Sequence, residues 1–432
     1  MERRRRGAPR HSPVSATRAD VERQLADVVR IEGGRILAVL AASTRDLQLA
    51  EDAVQDASVA AIEVWTRTGI PSNPTGWLYV AARRKAIDVI RRESTRDQRE
   101  AASGTTLREP DREVPAEPLI RDDVLRLVFT CCHPSLALDA RVALALRTLC
   151  GLSTAEVARA LLVSEPTMAK RLVRTKQKIA QAAIPYHIPD GRELGARLAG
   201  VHAVVHLVYT SGHHAAGDEV VRVDLCEEAV RLARLLVDLV PGEAGSEALL
   251  ALLLLTDARR PARLANDGSL VPLEDQDRRR WHRAAVDEGV ALLRRSLDRS
   301  DGVADPYQLQ AAIAACHSTA PSFAATDWRE IVRLYGILAD VHPNPIVDLN
   351  AAVALAEVDG PAAALDALDR VDASARSHLW QAGRGEMLLR LGRRVDAAEV
   401  FSAALADAPT DAERRHLRTR LDAARAASAP ES

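Results

Sequence analysis

Residues 151–179, GLSTAEVARALLVSEPTMAKRLVRTKQKI, hold two helix starts with little chain between them. Ser153 and Glu156 form a capping box, in which each side chain satisfies a backbone N–H that the helix leaves open. Ser164 is placed to cap a second helix, and Pro166 is tolerated in its first turn, where N–H groups lack partners anyway. The spacing predicts a first helix ending near Leu161–Leu162. In the second, Met168, Leu172 and Ile179 turn inward with Val157 and Leu161 of the first. Thr167, Lys170, Arg171, Arg174 and Lys178 share the outer face. Laid in a major groove, that face offers Arg to guanine edges and Lys to phosphates. A solvated basic face is the plainer reading of the same pattern.

The rest of the chain has the composition of helices. Aromatic residues make up 3% of 432 residues, while Ala, Leu and Arg are abundant, a bias against sheets. We therefore expect an all-α fold. No apolar run approaches the roughly 18 residues that span a bilayer, and the longest, ALLALLLLT (248–256), is short. The N-terminus, MERRRRGAPRHSPVS, is charged with no apolar segment behind it, so it reads as a basic tail over 1–17 and not as a secretory signal. Five cysteines without a CxxC pair argue against a disulfide framework and for a reducing cytoplasm.

A net charge of −2 excludes a uniformly basic coat, yet the charge is segregated. Residues 83–92 carry five positives and one negative, residues 151–179 six and two, and residues 43–64 five acids and one Arg. The chain has only four lysines, Lys85, Lys170, Lys176 and Lys178, all within the two basic segments.

Five stretches follow from this pattern. After the tail, residues 18–95 form a helical block. Its first helix is expected to break near Gly33–Gly34, and its second to start at Ser43 or Thr44 with a stripe of Leu47, Ala50, Val54, Ala57, Ala61 and Val64. Its third runs from about Pro74 to Glu93 and packs through Trp77, Ala81, Ala86, Val89 and Ile90. The plainer reading of Arg84, Asp88 and Arg92 on the third is an i,i+4 charge ladder, which is compatible with phosphate contacts by the same arginines. Residues 96–118 are polar and aperiodic, a linker. Residues 119–184 hold the helix-turn-helix. From 185 to 432 short helices succeed one another. A 34-residue spacing pairs Ala351 with Gly385 and Ala363 with Ala397, and Gly392, Phe401, Ala404 and Pro409 complete a tetratricopeptide-like unit. Such helical-hairpin arrays present concave surfaces to proteins, peptides or ligands.

Enzymatic chemistry finds little footing. HAVVH (202–206) spaces two histidines for a metal but lacks the glutamate of a zincin helix, and His213, His214, Asp218 and Glu219 follow it. CCHP (131–134) sets two adjacent cysteines in different directions on a helix. No P-loop, nucleotide fingerprint or catalytic triad pattern is present, so we expect no catalytic residues, no metal and no cofactor.

What precedes the helix-turn-helix extends the reading. DLQLAEDAVQDASVAAIEVW (46–65), then GIPSNPTGWLYVAARRKAIDVIRRE (69–93), then a polar linker, then the helix-turn-helix, resembles bacterial sigma-70-type factors of the extracytoplasmic-function group. RDDVLRLVFTCCHPSLALDARVALALRTL, PYQLQAAIAACHS and NPIVDLNAAVALAEVDGPAAAL resemble the subgroup with a tetratricopeptide-like C-terminal extension. The resemblance implies a subunit that binds core RNA polymerase through its β′ clamp helices and β flap, and that reads double-stranded promoter DNA and the melted −10 strand. By it, Asp52, Gln55 and Asp56 dock on polymerase. Asn73, Arg83, Arg84, Lys85, Arg91 and Arg92 serve the −10 element, and Thr167, Lys170, Arg171, Arg174 and Lys178 the −35 element. The linker threads near the polymerase cleft, and the C-terminal array regulates in cis or takes a protein or peptide partner. A stand-alone helix-turn-helix regulator with a sensing array is the competing reading; it leaves residues 43–93 without a purpose.

Overall fold

The chain repeats apolar residues at three- and four-residue steps. In the computed structural model every regular element among the described residues is accordingly helical, apart from isolated bridge residues such as the pair Leu264 and Leu270. The structure describes residues 17–100, 117–161, 163–182, 184–189, 191, 193–213, 222–265, 269–300, 302, 305–371, 376–408 and 410–426. The basic tail expected before Thr17, residues 101–116 of the expected linker, and His214, Asp218, Glu219 and Pro409 lie outside them.

The chain divides into two compact units, Met1–Val204 and Val205–Ser432. In the first, α1 (Arg18–Thr44), α2 (Leu47–Thr68) and α3 (Pro74–Glu100) pack together. Thr17 caps α1 through a capping box with Asp20. The helix is not broken at Gly33–Gly34 as its composition led us to expect. A Cβ on Gly34 would stand 3.1 Å from the Leu149 carbonyl oxygen, so this glycine admits another element and does not interrupt its own. The cap of α2 is Asp46, which accepts from the N–H groups of Gln48 and Leu49. Ser43 and Thr44 instead bond back to the Leu40 carbonyl at the end of α1. The buried stripe of α2 is Ala50, Ala53, Ala57, Ala61 and Trp65, with Val54 and Val64 half-buried at its flank. On α3 the buried residues are Leu78, Tyr79, Ala82 and Ala86, and Trp77 meets Trp65 edge-to-face at 5.4 Å.

Then follow α4 (Glu117–Cys131), α5 (Leu138–Thr148), α6 (Thr154–Ala160) and α7 (Glu165–Gln181). The Ser153–Glu156 capping box forms as read, with bonds of 2.7 and 3.2 Å. Ser164 occupies the cap position of α7 but makes no capping bond; its hydroxyl pairs with that of Thr167 at 2.8 Å.

The second unit centres on α10 (Ala244–Asp257), buried on every side from Gly245 to Leu255. The greasiest piece of the sequence is thus a core helix, sheathed by α9 (Val223–Leu239), α11 (Arg283–Asp298) and α12 (Pro306–Thr319). α8 (Leu194–His213) contains the division between the units. α13 (Trp328–Val341), α14 (Pro345–Leu355), α15 (Gly360–Arg370), α16 (His378–Arg390), α17 (Arg394–Asp407) and α18 (Asp411–Ala426) follow as neighbours stacked in chain order. The glycine of the 34-residue pattern has a packing reason: a Cβ on Gly385 would meet the Phe401 ring at 2.8 Å, so α16 and α17 close on each other only without one.

Gly151, between α5 and α6, has φ +68° and sits where a Cβ would be 2.9 Å from the Val29 carbonyl oxygen. Gly151→Ala is expected to cost more than the ~1–2 kcal/mol of a left-handed backbone alone, read as a lowered urea midpoint. Gly392→Ala, with φ +76° and open space around it, is the control that incurs the backbone cost only.

Candidate nucleic-acid and polymerase interface

The outer face of α7 is built by helical period. Thr167, Lys170, Arg171, Arg174 and Lys178 fall on one side, opposite buried Met168, Leu172, Thr175 and Ile179. Lys170, Arg174 and Lys178 are exposed, Arg171 is half-buried, and the exposed Thr167 shares its hydroxyl with Ser164. Lys176 stands apart from this face and points into the protein.

On α3, Arg84, Lys85, Arg91 and Arg92 are exposed and Arg83 is half-buried. No ion pair joins Arg84 to Asp88 or Asp88 to Arg92, so the expected ladder does not form; Lys85 instead reaches Asp56 of α2 at 3.9 Å. Asn73, exposed, works locally: its Oδ1 accepts from the Gly76 N–H at 2.8 Å at the start of α3. On α2, Asp52, Gln55 and Asp56 are exposed on the side away from the alanine stripe, while Trp65 is core.

Between these faces lies a contact that sequence reasoning missed. Glu51, one residue before the acidic docking candidates, is turned inward with 12% of its side chain exposed. Its Oε1 takes Arg147 of α5 at 2.8 Å, and Lys176 of α7 makes a charge contact with Oε2 outside hydrogen-bond alignment. Lys176 also donates to Gln48 at 3.0 Å. Nearby the Tyr186 hydroxyl lies 2.9 and 3.0 Å from the carbonyls of Ala38 and Asp123, and burial raises its pKa. The acidic helix and the basic helix-turn-helix are therefore clamped together, and a groove of about 610 Å³ between them takes in Gln55, Arg147 and Gly151. Both DNA-reading candidate faces nonetheless stay largely open. The one signal in the sequence was that Lys176 breaks the period of the α7 face.

The residues weighed for metal serve otherwise. Cys131 and Cys132 are buried thiols; burial pushes Cys131 up to about 12, with the Thr148 hydroxyl 3.1 Å away, and pushes Cys132 upward too. His206 packs edge-on to Tyr307 at 5.5 Å, and burial lowers its pKa. Among the described residues no three His, Cys, Asp or Glu side chains converge on one point.

Comparison with known proteins matches residues 28–96 to sigma-70 region 2 and residues 126–179 to sigma-70 region 4. Residues 197–297 match a family of unknown function, DUF6596. An uncharacterized protein of Rhizobium meliloti (strain 1021) is 42% identical over 387 residues, covering 88% of this chain and 90% of that protein.

Truncating one partner of a buried ion cluster leaves the others uncompensated, at a cost of about 3–5 kcal/mol. Glu51→Ala is accordingly expected to destabilise the first unit on that scale and to raise amide exchange in α7. Lys176→Met, which removes one cation and keeps the Arg147 pair, should cost less.

Proposed function

The chain belongs to the sigma-70 family, and on that premise we propose that it is an extracytoplasmic-function sigma factor whose helical C-terminal region, tetratricopeptide-like in its last hairpins, regulates it in cis. The observation that carries this reading is the order of parts on one chain. An acidic helix, a basic helix and a helix-turn-helix with a second basic face follow one another across the segments matched to regions 2 and 4.

Each face has a physical task. Asp52, Gln55 and Asp56 offer an acidic, exposed surface to a basic helix of core polymerase, where complementarity sets register and association rate. Arg83, Arg84, Lys85, Arg91 and Arg92 hold phosphates beside a base drawn from the stack at the −10 element, and the Asn73 amide is free to bond it. Lys170, Arg171, Arg174 and Lys178 enter the major groove at the −35 element, with Thr167 at the near end. The work is done in the cytoplasm.

The clamp at Glu51 marks a resting state in this reading. Elements 25 base pairs apart span about 85 Å of B-DNA, whereas a compact unit of this length has a radius of gyration of about 17 Å. The contact between α2 and α7 must part before both elements are read together. Polymerase docking on α2, next to Glu51, is positioned to part it.

Run-off transcription with core RNA polymerase on genomic fragments tests the proposal. Discrete new start sites that depend on this chain are expected; duplex binding without polymerase and without start sites would make it a stand-alone regulator. Arg174→Ala is expected to weaken −35 recognition by about 1–3 kcal/mol if it reads a base, with losses confined to particular promoter sequences; equal loss on all promoters would assign it to phosphate. Truncation after His213, which retains α8, is expected to change promoter output severalfold; unchanged output and regulation would remove the cis role.

A further inference from the structure

The second unit has a partly open cavity of about 400 Å³ between the end of α8, the end of α10 and the turns after it, α12 and α14. That volume falls in the range of small-molecule sites. Arg259 and Arg263 line it, and Arg278 is near enough to add its charge to theirs.

These arginines break the habit of the unit around them. Other charges of the unit are matched: Glu247, buried, is held by Arg295 at 3.3 Å and Arg299 at 2.6 Å, and Arg420 meets Glu386 at 2.9 Å. At the cavity no carboxylate answers. The Arg259 side chain makes no hydrogen bond or ion pair among the described residues, and its Nε is sealed from water without a partner. Arg263 gives one N–H to the His213 carbonyl at 3.0 Å. Arg278 spends Nη1 on the carbonyls of His317 and Ala320 at 2.6 and 2.7 Å and stacks 4.5 Å from the Trp281 ring, leaving Nη2 buried and unpartnered. Of the neighbouring acids, Asp257 makes a charge contact with Arg260 at 3.2 Å while its Oδ1 has no hydrogen-bond partner, and Glu413 accepts from Thr410 at 3.2 and 2.9 Å. Burial depresses Arg259 to about 10 and moves Arg263 and Arg278 the same way; burial, with the fields of Arg259 and Arg278, takes His317 down to about 3.

Unpaired buried cations are expensive, and the fold keeps them at the wall of a hollow. We propose that this cavity binds a small molecule through one anionic oxyacid group, a carboxylate or a phosphate, seated on the guanidinium groups of Arg259 and Arg263. The planar fork of Arg suits both anions. Thr210, Gln310 and Asn350, on three different helices around the cavity, meet the neutral polar remainder. The segment that supplies the arginines lies within the part of the chain matched to a family of unknown function. The site stands whether or not the chain directs transcription, and if it does, the site gives the C-terminal region a chemical signal to sense.

The test is thermal unfolding of the full-length protein with inorganic phosphate or succinate, each against sodium chloride at equal ionic strength. At least one probe is expected to raise the midpoint saturably above the chloride control. Phosphate alone assigns a phosphoryl ligand, succinate alone a carboxylate. Arg259→Met is expected to raise the midpoint of the ligand-free protein, because it removes an uncompensated charge, while weakening the probe about tenfold or more, the scale of a lost charge-assisted bond. Asn350→Trp, at an exposed position beside the cavity, fills it without touching the core and should abolish the response. The proposal is overturned if neither probe exceeds chloride, or if Asn350→Trp or a folded Arg259→Met responds like the parent. A ligand-free Arg259→Met that melts lower and binds undiminished assigns the guanidinium a structural role.

Discussion

One carboxylate ties the first unit together. Glu51 sits where α2 meets α5 and α7, and two cations from different helices close on it. Everything around the contact is shaped to permit that approach: the alanine stripe of α2 lets α1 come near, and Gly34 and Gly151 let backbone pass backbone. An apolar seam of the same area would be harder to separate, because opening it exposes surface that water disfavours. A charge contact can be exchanged for other polar partners, water and counterions among them. In the proposed reading, in which the joint holds in one state and yields in another, a charge contact serves it well.

Much of the fold was legible because helices announce themselves locally. The Ser153–Glu156 box and the period of α7 depend on residues within a few turns, and both appear as read. What failed was what depends on neighbours far along the chain. Gly33–Gly34 resembles a break until α5 is known to press against it. Ser43 and Thr44 are ordinary caps until Asp46 proves better placed. Ala50, Ala57 and Ala61 of the expected α2 stripe and Ala86 of the α3 stripe are buried, while Ala53 and Trp65 replace Val54 and Val64, and Leu78, Tyr79 and Ala82 replace Trp77 and Ala81. The candidate DNA-reading residues lie on exposed faces and so follow period alone. Glu51 was invisible because its partners are about 100 and 125 positions away, and the arginines of 259–278 were invisible because nothing in a sequence says which charges go unanswered.

The near-zero net charge conceals three separate electrostatic economies. The exposed faces of α3 and α7 present cations to solvent, the contact at Glu51 neutralises charge internally, and the cavity of the second unit withholds compensation. Only the second contributes to holding the free protein together; in the proposed readings the other two answer a partner. Total charge therefore says little about what this chain binds, and the distribution of unpaired charge says more.

The scarcity of lysine has a practical side. Of four side-chain amines, Lys85, Lys170 and Lys178 stand in the open, while Lys176 is 11% exposed and engaged by Glu51 and Gln48. An amine-directed reagent thus meets three sites that report the reading faces and one that reports the joint. The modification of a single residue, followed by mass spectrometry, becomes a gauge of how often the first unit is open. No engineered label is needed, because Lys176 is the one lysine of the four held in that joint.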